Sequence, residues 1–191
     1  MGIKTGSVIY ASITYISMRC FIAIPYEPDS VVKNLMRIVE EKYGKNVRMV
    51  RPENMHLTIE FFEDIQEDVA AQRWDKLNIP AFKDSTFIIK RIGHFPEGKK
   101  ARVLTLAIDR NRIMDRNQEL YNDVRYRWNK RAFKPHITLC RFKSSVYVHD
   151  LVKEYEGIEF GKYPAKEILF IKSVLSEEGP QYTVFRRVQL M

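Results

Sequence analysis

Asn54-Met55-His56-Leu57-Thr58-Ile59-Glu60-Phe61-Phe62 and Lys134-Pro135-His136-Ile137-Thr138-Leu139-Cys140-Arg141-Phe142 share one pattern, a His-x-Thr triplet inside an apolar, alternating run. Such alternation reads as a β-strand. A strand sends residues i and i+2 to the same face, about 6–7 Å apart along the chain. Each triplet therefore projects an imidazole and a hydroxyl together. Two such strands facing one another would gather two acid–base groups and two hydroxyl donors, a set suited to a phosphate ester. A single His-x-Thr is ordinarily a half-buried surface pair. Here two of the four histidines carry Thr at +2, in matching strand contexts.

Working outward, Arg19–Pro25 reads as a buried strand ended by proline. Asp29 or Ser30 caps a helix to Tyr43, with Val31, Leu35, Ile38 and Val39 at helical spacing and Gly44 as its stop. Val47–Val50 is a short strand, and residues 51–54 (RPEN) are turn chemistry. The first triplet strand spans His56–Phe62; acid-rich residues 63–68 open a second helix through Leu77. Strands follow at Thr86–Ile92 and Val103–Ile108, with the loop 93–98 (GHFPEG) between them. The longest helix is expected over residues 111–128, and the second triplet strand over His136–Phe142. A short helix at 148–156 and closing strands at 168–175 and 183–190 complete the chain.

This order repeats. Strand, helix and His-x-Thr strand occupy residues 19–62 and again 102–142. Two lobes related by a pseudo-twofold axis would bring the triplet strands to a central cleft.

The chain of 191 residues carries a net charge of +8, which favours an anionic partner such as nucleic acid. Its two cysteines, Cys20 and Cys140, both fall in expected strands, so reduced core thiols are expected rather than a disulfide framework. No Cys/His spacing suits zinc, and no glycine-rich phosphate loop occurs. Residues 1–17 (MGIKTGSVIYASITYIS) are apolar but broken by Ser and Thr, too short for a membrane span and lacking a leader's continuous apolar core. They are expected to be an N-terminal extension, or an edge strand, before a single bilobal domain over 18–191, with Met18 an alternative start. The expected location is the cytoplasm, with no membrane partner.

Within the triplet strands, Glu60 shares the alternating face of His56 and could favour its protonated form. Cys140 shares that of His136 and reads as a small wall residue. His94 and His149 have no Thr at +2 and read as loop or surface residues. Phe95 reads as packing, with base stacking as the alternative. Lys99, Lys100 and Arg102, and the run Arg125, Arg127, Lys130, Arg131 and Lys134, could line an RNA path, although such runs are usually solvated faces.

The flanking text resembles one family. MRCFIAIP at 18–25, RPENMHLTIEFFEDI around the first triplet, GHFP at 93–96 and FKPHITLCRF around the second are similar to the 2H phosphoesterases, most of all to the RNA 2′,3′-cyclic phosphodiesterases, also called 2′–5′ RNA ligases. The likeness spans Met18 to about Leu190. One departure is Phe61-Phe62-Glu63-Asp64, where members often read Phe-Leu-Gly-Glu. The resemblance implies an α+β fold of two lobes, each an antiparallel sheet with outer helices, and the His-x-Thr strands facing a cleft. It implies hydrolysis of a 2′,3′-cyclic phosphate RNA end to a 2′-phosphomonoester, with reverse 2′–5′ ligation as the same catalysis run backwards. It further implies His56 as proton donor, His136 as proton acceptor, and Thr58, Thr138 and Arg141 as substrate-binding residues. No metal or other cofactor is implied; the expected partner is RNA with a cyclic phosphate end, tRNA halves among them, and the expected state a monomer. Strict alternation puts Arg141 on the face opposite His136, so it reaches the phosphate only if the strand bulges or ends first. Two other readings stay open: an RNA-end binding module without turnover, and a related enzyme acting on 2′–5′ linkages or small cyclic nucleotides.

Overall fold

The computed structural model describes residues 17–77, 79–82, 85–109, 134–177 and 179–190. The expected helix at 111–128, residues 125–131 of the basic run and all but the end of the N-terminal extension lie outside them.

Among the described residues the fold is a mixed α+β arrangement around one antiparallel sheet. Its strands are β1 (Ser17–Pro25), β2 (Val47–Met49), β3 (His56–Gln66), β4 (Thr86–Phe95), β5 (Lys100–Ile108), β6 (His136–Tyr147), β7 (Gly161–Pro164), β8 (Glu167–Ser176) and β9 (Gly179–Gln189), and its helices α1 (Ser30–Tyr43), α2 (Glu67–Asp75) and α3 (His149–Glu154). The spatial order is β7-β4-β5-β6-β3-β1-β8-β9, with β2 also pairing to β6. The order is palindromic in role. On each side of the β3–β6 junction a triplet strand pairs with the strand that opens its half of the repeat, β1 for β3 and β5 for β6. The expected two-lobed architecture therefore appears as two half-sheets fused at their triplet strands, and the tail strands β8 and β9 return to complete the first half.

One face of the sheet carries the main core. Met18, Cys20, Ile22 and Ile24 of β1, Leu57 and Ile59 of β3, and Ile137 and Leu139 of β6 pack there with Val32, Leu35 and Val39 of α1 and Trp74 of α2. Helix α1 starts where expected: the Asp29 carboxylate accepts the Val32 N–H at 2.9 Å, satisfying one of the orphan donors of the first turn. Its buried stripe begins at Val32, and Val31 is exposed. The acidic run behaves differently from expectation. Residues 63–66 extend β3, because β1 begins at Ser17 and pairs through Ser17↔Gln66; only Glu67 and Asp68 open α2. Gly93, His94 and Phe95 belong to β4, paired to β5, rather than to a loop. Strand β7 has no counterpart in the sequence reading: it has four residues, too few for an alternating pattern to show.

The opposite face carries a small apolar floor of Phe21, Ala23, Leu169 and Ile171, with Tyr182 against it.

Candidate active site

The two triplets meet at a single register. Strands β3 and β6 are antiparallel with Leu57 opposite Ile137. That places His56 opposite Thr138 and Thr58 opposite His136, with a local twofold passing between the triplets. Leu57 and Ile137 are 3% and 0% exposed in the core, so both histidines and both threonines face the other way. Directly opposed residues have Cβ atoms about 4.5–5.5 Å apart. All four side chains line one cleft of ≈ 540 Å³.

Both imidazoles are held alike. His56 Nδ1–H donates to the Asn54 carbonyl at 2.7 Å, and His136 Nδ1–H donates to the Lys134 carbonyl at 2.7 Å. In each neutral ring this leaves Nε2 as the acceptor. His56 is stacked on Phe21 (centroids 4.7 Å apart, planes at 21°) and meets the edge of Tyr182 at 5.8 Å. His136 packs against Phe95 edge-on at 4.9 Å. Burial pushes the pKa of His56 below the usual histidine value, opposed by its backbone acceptor and reinforced by the nearby His136. Burial also lowers His136, its backbone acceptor again opposing and the Arg141 charge adding to the effect. Both shifts favour the neutral rings. A bound phosphate anion reverses part of this, because an opposite charge favours imidazolium.

Each triplet strand bulges at the same place. Pairing runs Ala23↔Thr58 then Ile22↔Glu60, skipping Ile59; in the other half it runs Thr105↔Thr138 then Leu104↔Cys140, skipping Leu139. A bulge adds one residue to one strand and inverts the faces beyond it. Arg141 therefore turns into the cleft beside His136 and Thr138. The same inversion overturns two expectations. Cys140 is fully buried in the core rather than in the cleft wall, and burial pushes its thiol pKa up to about 12. Glu60 pairs with core-facing Ile22 and sits near Cys20, whose thiol pKa burial pushes up to about 12 with the Glu60 charge adding to the rise; Glu60 thus belongs to the face opposite His56. Phe61 takes the cleft position that corresponds to Arg141.

The cleft is strongly cationic. Arg19, Arg48, Arg51 and Arg141 line it with the two histidines, and among the described residues no Asp or Glu does. The Arg19 guanidinium lies over the Phe61 ring at 4.8 Å, and its buried Nε has no hydrogen-bond partner. Burial raises the Tyr182 pKa, while the charges of Arg141 and Arg19 act against that rise, so the phenol lies near both guanidiniums. Arg19, Phe21, Arg48, Arg51 and Tyr182 are site residues that the sequence reading misses. The available signal is Arg19 within an otherwise apolar strand, with Phe21 two residues on, and the Arg48/Arg51 pair just before the first triplet.

The other candidates lie elsewhere. His94 Nδ1–H donates to the Pro96 carbonyl, and His149 starts α3. Arg102 donates to the Lys143 carbonyl, Lys100 lies over Tyr147, and Lys134 pairs with Glu97; none of these, nor Lys99, lines the cleft. Among the described residues no three His, Cys, Asp or Glu side chains group as metal ligands, and no helix is long and apolar enough to cross a membrane.

The chain is similar to known proteins along most of its length. The family model "LigT like Phosphoesterase" matches residues 22–105 and 108–182. The RNA 2′,3′-cyclic phosphodiesterase of Methanocaldococcus jannaschii is 27% identical over 179 residues, covering 88% of this chain and 99% of that protein. The protein of the same name from Aquifex aeolicus is 31% identical over 153 residues, covering 75% and 81%. Among solved structures, TT0787 of Thermus thermophilus superposes with a TM-score of 0.67 at 22% identity over 91% of this chain and 98% of that one. Escherichia coli LigT complexed with 3′-AMP gives a TM-score of 0.59 at 21% identity, covering 91% and 98%. These structures share the fold.

Proposed function

The chain belongs to the LigT-like phosphoesterase family, and from that premise we propose that it hydrolyses the 2′,3′-cyclic phosphate at an RNA end to a 2′-phosphomonoester by two-histidine acid–base catalysis. The observation that carries this reading is the Leu57–Ile137 register, which sets two His/Thr pairs in twofold opposition in a cleft lined by arginine and, among the described residues, free of carboxylates. The relatives named RNA 2′,3′-cyclic phosphodiesterase support the substrate class.

In a cyclic phosphate the internal hydroxyl has already attacked, so the remaining step is water attack at phosphorus. His136 Nε2 takes a proton from water as the new P–O bond forms. The bond from phosphorus to the ribose 3′ oxygen breaks, and imidazolium His56 gives that oxygen its proton. The 2′ linkage is left as the monoester. The assignment of donor and acceptor follows the family resemblance, since the site itself is nearly symmetric. The dianionic character that develops on phosphorus falls to the Thr58 and Thr138 hydroxyls and to Arg141, which donate to the non-bridging oxygens. Each proton transfer is worth roughly 10²–10⁴-fold. Together they supply about 5–11 kcal/mol of barrier. Ligation to a 2′–5′ linkage is the same step with an RNA 5′ hydroxyl attacking in place of water: His136 takes the hydroxyl proton, the P–O3′ bond breaks and His56 protonates the 3′ oxygen.

The test is an RNA ending in 2′,3′-cyclic phosphate, incubated with EDTA. Turnover to the 2′-phosphomonoester, identified by phosphorus NMR, should be unaffected by the chelator. His56→Ala and His136→Ala should each lose about 10²–10⁴-fold in kcat. Near-normal turnover in either variant, or a 3′-phosphate product, would defeat the reading.

A further inference from the structure

The cleft holds more positive charge than one cyclic phosphate requires. A cyclic phosphodiester carries a single negative charge, and Arg141, the two hydroxyls and the imidazoles already serve it. Arg48 adds a guanidinium directly beside this set. Strand β2 pairs with β6 so that Arg48 is opposite Arg141, both on the cleft face. Like charges directly opposed across a sheet are destabilising. Among the described residues neither arginine has an ion pair, and the cleft offers no carboxylate. A repulsive pair in this position makes sense when an anion joins it.

The fold also makes room for that arginine. Gly179, at the tip of the β8–β9 hairpin, has φ +121°, and a Cβ there would run into the Arg48 guanidinium. The hairpin tip, lining the cleft through Gly179, Pro180 and Gln181, thus lies against Arg48. The positive surface continues on the other arm, where Arg19 rides on Phe61 with its Nε unpartnered. Moving outward from the twofold at Leu57–Ile137, the cleft therefore passes from the His/Thr quartet to flanking guanidiniums on both arms.

We propose that Arg48 binds a second phosphate of the substrate, the phosphodiester one linkage inward from the reacting end, and so makes this cleft select an RNA end over a cyclic mononucleotide. The proposal rests on the cyclic-phosphodiesterase reading and adds a specificity-determining residue to it.

The test compares kcat/KM for adenosine 2′,3′-cyclic monophosphate with that for the dinucleotide ApA ending in the same cyclic phosphate. A charge-assisted contact to the inner phosphate should favour the dinucleotide by about tenfold or more in the wild-type protein. Arg48→Ala should bring that preference to within about twofold of unity, whereas Arg48→Lys should retain most of it. Arg37→Ala, which removes an equal charge from α1 outside the cleft, should leave the preference intact. A wild-type ratio near one, a preference that survives Arg48→Ala, or an equal loss in the Arg37 variant overturns the proposal. Turnover of neither substrate would instead defeat the cyclic-phosphodiesterase reading. The second-phosphate site would then be read by calorimetry, from the affinities for adenosine 3′-monophosphate and for ApA 3′-phosphate, under the same criteria.

Discussion

At the scale of single residues, the two histidines are tuned by what surrounds them more than by their sequence neighbours. Each donates Nδ1–H to the carbonyl two residues back, so ring orientation is built into the strand's own entry. Burial lowers both pKa values, and Arg141 lowers that of His136 further. In the free enzyme the acceptor must be neutral, so the acidic limb of the kcat/KM profile should fall below the ordinary histidine value of about 6.5. Arg141→Gln removes a positive charge beside His136. Its pKa should rise, and the acidic limb should move to higher pH, alongside a loss in kcat/KM of about 10–100-fold from the missing charged contact. A pH–rate series on both proteins checks this; a limb that stays in place or moves down would mean that Arg141 does not act on His136. Glu60, the carboxylate nearest to His56 in the alternating pattern, should have no such effect, because it lies on the core side of β3.

At the scale of elements, the paired bulges at Ile59 and Leu139 do most to shape the cleft. An unbroken strand would carry Arg141 to the core side and Cys140 into the cleft. With the bulge, Arg141 pairs with Val103 and Cys140 with core residue Leu104. Strand propensity and alternation reveal where β3 and β6 begin, and their first three residues point as expected. The bulges are not legible, since Ile59 and Leu139 are ordinary strand residues without glycine or proline to mark them. Helix α1 shows the converse case, where a local signal suffices. Asp29 caps it and also accepts the Tyr163 hydroxyl at 2.6 Å, tying the helix start to β7. Asp29→Ala should cost about 1–2 kcal/mol, mostly from the cap. Chemical denaturation should show that loss with kcat little changed, because Asp29 is not among the residues that line the cleft.

At the scale of the whole molecule, the half-sheets join edge to edge through β3 and β6, with Leu57 and Ile137 at the centre of the junction. Both face the common core that α1 and α2 cover. Ile137 is fully buried, so Ile137→Ala should cost about 2–5 kcal/mol. The same change loosens the register that sets His56 against Thr138. Catalysis should therefore fall by more than the unfolded fraction explains, measured as kcat per folded molecule at a temperature well below the midpoint. A fall in stability with unchanged kcat would mean that the quartet is held by something other than this junction.

The sequence by itself determined the local facts: which segments alternate, that each histidine shares a face with the threonine two residues on, and where α1 starts. These follow from backbone period and short-range hydrogen bonding, which need no partner strand. Tertiary structure decided the rest. It placed Leu57 against Ile137, inserted the bulges that turn Arg141 into the cleft and Glu60 to the core side, and drew Arg19, Phe21, Arg48 and Tyr182 into one cleft from strands far apart in the chain. Register and bulge position are choices between strands, made by whole-sheet pairing and core packing, so no single strand's residues specify them.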